Sequence, residues 1–138
     1  MKKILLSIGF ILFALMLSGQ TLQKGQVIGF HNITPELNPD VTFNQWKTFA
    51  MEKYMPAFNK EFEGEVTVYW LSGERGKYKN SVAFMIVFKS VEVRDKYIPS
   101  ESQTSDLYNA KMEKVMPIFN EWRKMGTYTL EFTDWVIQ

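Results

Sequence analysis

The nine residues Met51-Glu-Lys-Tyr-Met-Pro-Ala-Phe-Asn59 return as Met112-Glu-Lys-Val-Met-Pro-Ile-Phe-Asn120, identical at seven of nine positions and 61 residues apart. The segments after the two copies also correspond. Gly64 precedes Glu65-Val66-Thr67-Val68-Tyr69-Trp70, and Gly126 precedes Thr127-Tyr128-Thr129-Leu130-Glu131-Phe132. A helix, a glycine stop and an alternating strand recurring in the same order indicate a structural duplication, so any fold for this chain must contain two similar halves.

The apolar spacing supports that reading. Met51, Met55, Phe58 and Phe62 fall 4, 3 and 4 residues apart, and Met112, Met116 and Phe119 repeat the stripe. Such spacing stacks side chains on one helical face. Thr42 is placed to cap the first helix and Ser105 or Asp106 the second. Pro56 and Pro117 each remove a ladder hydrogen bond, which predicts a bend or break at both. Gly64 and Gly126 suit the left-handed residue that ends many helices. A strand precedes each helix, Val27 to Ile33 in the first half and Val82 to Lys89 in the second. Ser90 can cap a short helix through Tyr97, and the Gly-, Lys- and Arg-rich stretch Ser72 to Asn80 reads as a hairpin loop.

The order is therefore βαβ–βαβ, an α+β fold with a four-stranded antiparallel sheet and its helices on one face. Right-handed crossovers place strands one and three in the centre and strands two and four at the edges. On the edge strands Val66, Val68, Trp70 and Tyr128, Leu130, Phe132 should meet the helices. The central strands are apolar on both sides. Ala83, Met85 and Val87, with Val27, Gly29, His31 and Ile33, are expected on the far face beside Tyr69, Glu131 and Trp135. A solvated face should be polar throughout. This one is apolar along its middle, which predicts cover by a second copy of the chain in a two-fold dimer.

The βαβ–βαβ order, the proline-interrupted helix and Phe88-Lys-Ser-Val-Glu-Val-Arg-Asp-Lys-Tyr97 after strand three resemble the dimeric α+β-barrel superfamily. That ferredoxin-like group includes stress-responsive A/B-barrel and antibiotic-biosynthesis-monooxygenase type domains. The resemblance spans residues 25–137 and implies a homodimer with a pocket between sheet and helices or within the barrel. Members include cofactor-free oxygenases, cyclases and haem-handling proteins.

The N-terminus carries a different message. Lys2 and Lys3 precede 14 mostly apolar residues, Ile4 to Leu17, and then Ser18-Gly19-Gln20. A spanning helix needs roughly 20 residues, so this is read as a bacterial export signal, residues 1–20, ahead of one domain at 21–138. The expected location is periplasmic or secreted, with no membrane attachment after cleavage. Lys plus Arg total 16 and Asp plus Glu 15, a balance that argues against nucleic acid as a partner. There is no cysteine, which excludes disulfides, a thiol nucleophile and a thiolate metal site.

Catalytic candidates are few. His31, the one histidine, titrates near neutrality, and on the expected faces Glu131 would share its cavity as a partner for acid–base work. Tyr69, Trp135 and Met85 are the expected ligand-binding residues. No cofactor and no metal are expected. The Met51/Met55 and Met112/Met116 pairs read as core filler and not as copper ligands, and haem held by His31 would rest on the family analogy alone. The functional expectation is an exported homodimer that binds a small, mostly apolar molecule. The alternatives are a cofactor-independent oxygenase, isomerase or cyclase with His31 as base, and a structural or partner-binding dimer without a ligand.

Overall fold

The computed structural model describes residues 21–138. The expected export signal, residues 1–20, lies outside the described residues. The chain runs β1 (Val27–Leu37), α1 (Phe43–Phe49), a π-helical turn (Ala50–Tyr54), α2 (Met55–Glu61), β2 (Val66–Ser72), β3 (Val82–Phe88), α3 (Val91–Tyr97), α4 (Asp106–Arg123) and β4 (Gly126–Val136). The sheet order is β2-β3-β1-β4 with every neighbouring pair antiparallel. This is the ferredoxin-like arrangement expected from the duplication, with β1 and β3 central.

The caps lie where the sequence places them. The Thr42 hydroxyl accepts from the Gln45 amide, and the Gln45 side chain accepts in return from the Thr42 amide, closing a reciprocal cap on α1. Ser90 and Ser105 cap α3 and α4 through their hydroxyls.

The two prolines behave differently. Pro56 lies at the start of α2, directly after the π turn, where the Met55 amide reaches back to the Ala50 carbonyl. A proline has no N–H, and a turn of wider register takes up the missing bond. Pro117 sits inside α4, which continues unbroken from Asp106 to Arg123, so the expected break in the second copy does not occur. Packing around the buried Val115 and Trp122, which flank Pro117, offsets the loss of one bond there.

Strand registers decide which side chains meet. Val27 pairs with Phe88, Gly29 with Ile86, His31 with Phe84 and Ile33 with Val82. Across the other side of β1, Gly29 pairs with Asp134, His31 with Phe132 and Ile33 with Leu130. Directly opposed residues share a face, and Val27 and Ile33 are buried beneath the helices. His31 therefore lies on the helical side of the sheet and not, as expected from sequence, on the far side. The reason lies farther along the strand. The row of Val27 and Ile33 continues to Leu37, which packs against the core, whereas the row of Ile28 and Phe30 continues through Asn32, Thr34 and Glu36, and the period of two carries His31 with the first row. The far face holds Ile28, Phe30, Met85 and Val87 in its middle, flanked by Tyr69 and Trp135.

Strands β1 and β4 are longer than their sequence signals. They pair as far as Leu37 and Gly126, beyond the end of β3. Gly126 has φ of +156°, and a Cβ there would lie 2.6 Å from the Glu36 carbonyl oxygen. Only glycine fits that approach. At the opposite end Gly25 donates to the Ile137 carbonyl and Ile137 donates to that of Gln26, both at 2.9 Å, so the two ends of the domain meet.

The core is aromatic. Trp46 and Trp122 are each 1% exposed, with ring centroids 4.7 Å apart and planes 28° from parallel. The Trp122 indole N–H donates to the Trp46 carbonyl at 3.0 Å. That carbonyl also receives the Ala50 amide at the junction with the π turn. Tyr54, Phe84, Trp70 and Tyr128 pack around the pair.

Replacing Trp122 by Phe keeps a ring in place but removes the indole donor. The expected loss is about 1–3 kcal/mol in urea unfolding, rising to about 3–5 kcal/mol for Trp122→Ala. A loss under ~0.5 kcal/mol for the alanine variant would show that this pair does not hold the helices to the sheet.

Candidate functional site

The helices do not cover their side of the sheet evenly. At the Trp46–Trp122 end the interior is filled with packed aromatic rings. Toward Phe88 and Asp134 the seven-residue α3 and the loop 98–105 take over, and a cavity of about 570 Å³ opens between them and the sheet. Ile86, Phe88, Leu130 and Phe132 form its floor, with Ile98 and the loop residues Pro99 to Thr104 opposite. Leu130 and Phe132 remain 44% and 45% exposed, because no helix reaches over β4 at this point.

The loop wall is polar, with Ser100, Glu101, Ser102, Gln103 and Thr104, and on the sheet side the polar groups are His31 and Asp134. His31 and Asp134 both stand over Gly29. A Cβ built on Gly29 would lie 2.9 Å from His31 Nε2 and 3.0 Å from Asp134 Oδ1. The missing side chain of Gly29 is thus the space in which imidazole and carboxylate approach each other. The imidazole also stacks on Phe132, with centroids 5.3 Å apart and planes within 17°. Asp134 Oδ2 accepts from Arg94 Nη1 at 2.7 Å, and Arg94 Nε donates to Asp95 at 2.6 Å. Arg94 projects from α3, so this ion pair ties the helix above the cavity to the edge strand below it.

Something must hold α3 in turn. Its last two residues bind the same acid. Lys96 Nζ lies 2.8 and 3.0 Å from the two carboxylate oxygens of Glu65, and the Tyr97 hydroxyl donates to Glu65 as well. These partners, Lys96 first and Tyr97 second, hold the Glu65 carboxyl below its usual range. Burial, with the Glu65 bond next in importance, pushes the Tyr97 phenol up to about 12.

His31 is governed by two opposed effects. Burial lowers its pKa, because the charged form loses water, and the Asp134 carboxylate raises it by a smaller amount. The result lies below the ordinary 6.5, so the imidazole is neutral at pH 7. A neutral imidazole next to a carboxylate can accept a proton or a hydrogen bond from a molecule in the cavity, and the imidazolium so formed would be stabilised by Asp134.

The residues singled out in the sequence divide between the two faces of the sheet. His31 lines the cavity. Glu131 opposes Asn32 on the other face, so the two do not meet. Tyr69, Met85 and Trp135 also lie on that far face. The acid beside His31 is Asp134, three residues from Glu131, and the cation is Arg94. Sequence reasoning marks neither Asp134 nor Arg94 as a site residue. A usable signal lies in Gly29, a residue without a side chain two positions before the only histidine. Among the described residues no group of three or more His, Cys, Asp or Glu side chains is placed to hold a metal ion. Likewise, no described helix is long and apolar enough to cross a membrane.

No protein-family profile matches the chain, and no curated protein matches it. Among solved structures the chain is similar to a variant of SnoaB, a cofactor-independent oxygenase from Streptomyces nogalater. The match has 13% identity, covers 79% of this chain and 91% of that one, and has a TM-score of 0.44.

The state of His31 makes stability depend on pH. Because its folded-state pKa is below the unfolded value, folding is opposed by protonation. Its contribution is complete above about pH 6.5 and is lost as pH falls through the folded value. Stability measured against pH should decline over that range in the native chain and be flatter there in His31→Gln. Gly29→Ala should push His31 and Asp134 apart and cost about 1–3 kcal/mol by overfilling the space. If the alanine variant kept both native stability and the native titration midpoint of His31, the close approach over Gly29 would be wrong.

Proposed function

We propose that this chain is an exported homodimer that binds a small, neutral, largely apolar molecule in the cavity between sheet and helices. The observation that carries the reading is the cavity itself. At about 570 Å³ it has the size of a small-molecule site, with an apolar floor of Ile86, Phe88, Leu130 and Phe132, the His31–Asp134 pair at one side of that floor, and the polar loop Ser100 to Thr104 opposite. Arg94 is the one Lys or Arg among the described residues that line the cavity, against the carboxylates of Asp95, Glu101 and Asp134. Both ends of its guanidinium are already engaged by Asp95 and Asp134, so its charge is matched before any anionic ligand arrives. A hydroxyl or carbonyl group at one end of the ligand would meet the imidazole.

Dimerisation is supported by the far face of the sheet. Phe30 is 37% exposed and Trp135 62%, Phe30 beside Met85 and Trp135 beside Ile28 across the sheet. Burying that apolar band against its copy is the expected way to keep it from water. Export rests on the basic, then apolar, opening of the sequence.

A second reading is favoured by one further observation, the placing of His31 and Asp134 together over Gly29 in the cavity, where burial lowers the pKa of the imidazole. In that reading His31 removes a proton from an activated C–H or O–H of the bound molecule, as a cofactor-free oxygenase, isomerase or cyclase requires. Asp134 offsets the charge that appears on the ring. Arg94, by holding Asp134, is a positioning residue for that step.

The single histidine makes the test direct, since its ring signals in a nitrogen-15 spectrum need no assignment. Titration with 4-propylphenol should shift them saturably, and 4-propylbenzoate should bind about tenfold more weakly, the cost of burying an unpaired charge. His31→Ala should weaken phenol binding about tenfold with the fold intact. No saturable shift with the phenol would overturn the binding reading. For the dimer, light scattering should give twice the chain mass, and a monomer mass at micromolar concentration would refute it.

A further inference from the structure

A second, smaller void of about 20 Å³ lies beside the cavity, bounded by Phe58, Phe62, Val66 and Tyr108. Three residues, Ile86, Phe88 and Ile98, line both spaces. The sheet register shows how the spaces adjoin. On the helical face Val66 opposes Phe88 on one side, and Phe88 opposes Val27 on the other, so β3 is the boundary between β2 and the β1–β4 half. The large cavity lies over β1 and β4, and the small void over β2. Ile86 and Phe88 are fixed in the central strand and form a shared floor. Ile98 is the only one of the three that comes from above.

Ile98 also stands at a joint. It is the residue after α3, its amide still bonded to the Arg94 carbonyl at 2.7 Å, but its backbone has left the helical region at φ −131° and ψ 81°. The side chain is half-buried, whereas its neighbour Tyr97 is fully buried. On the cavity floor the polar pair His31 and Asp134, on β1 and the edge strand β4, lies across the sheet from the small void. A molecule held by its polar group near His31 and Asp134 would extend its apolar part across β1 toward β3.

Resting on the binding reading, we infer that Ile98 is the partition that sets how long an apolar ligand can be. Cutting it back joins the two spaces and lets a longer tail pass over Phe88 toward Val66 and Tyr108. Enlarging it shortens the site. The substrate class is thereby narrowed to elongated molecules with one polar end. Interior packing leaves no slack for a tail that meets a fixed wall, so affinity should rise with chain length and then stop rising at a definite length.

The experiment is a calorimetric series of 4-alkylphenols, from ethyl to nonyl, on the native chain and on Ile98→Ala, Ile98→Val and Ile98→Phe. In the native chain each methylene that finds wall contact should tighten binding about fourfold until the limit is reached. Ile98→Ala should move the limit to longer tails, Ile98→Phe to shorter ones, and Ile98→Val should follow the alanine variant weakly. The valine and phenylalanine variants keep the test open if alanine loosens the fold. If all the folded variants share one limit while the native chain binds, the partition is wrong and the binding reading stands. If the native chain binds no alkylphenol and the His31 ring signals do not move, the binding reading falls, and the partition falls with it.

Discussion

Every feature of this molecule depends on β1 being hydrogen-bonded along both of its edges in one register. That register sets Val27 and Ile33 under the helices, and it brings Gly29, His31 and Asp134 together on the same side. It also sends Ile28 and Phe30 to the opposite surface. A slip of one residue would reverse all of these assignments at once, exposing the core residues and burying the others. The register is secured at one end by Gly126, whose lack of a side chain lets β4 pass against Glu36 and Leu37. At the other end the backbone bonds between residues 25–26 and Ile137 secure it.

Within that frame the two halves of the duplication have parted in character. The first helix pair bends its hydrogen-bond ladder at the π turn, and its carbonyl at Trp46 takes an extra donor from Trp122 in the second half. The second helix continues through its proline without a break and ends over Tyr128 and Phe84. Large aromatic rings crowd that end of the sheet. At the other end a short helix, a polar loop and a glycine in the floor leave the opening in which His31 sits.

Much of the fold is legible because several signals agree. The repeat, the caps at Thr42, Ser90 and Ser105, and the hairpin at residues 72–80 point to one topology. The sidedness of β1 is not legible. Over Val27 to Ile33 both of its faces are apolar, so alternation is silent there, and polarity alone sends His31 to the far surface with Glu131 when the continuation of its row to Leu37 places it inside. Asp134 and Arg94 are brought together over 40 residues of chain by two elements that the sequence shows only separately. The break expected at Pro117 is absent for a related reason, since the local cost of a proline carries no information on the tertiary packing that offsets it.

The meeting of residues 25 and 137 has a practical corollary. A short peptide linker could join the two ends, and new termini could be cut at the exposed basic tip around Gly76, which is far from Gly29 and Asp134. Such a circular permutant would turn the order of the two halves around while keeping every strand neighbour. It would thus ask whether the chain folds by its first copy templating the second, or whether either copy can lead.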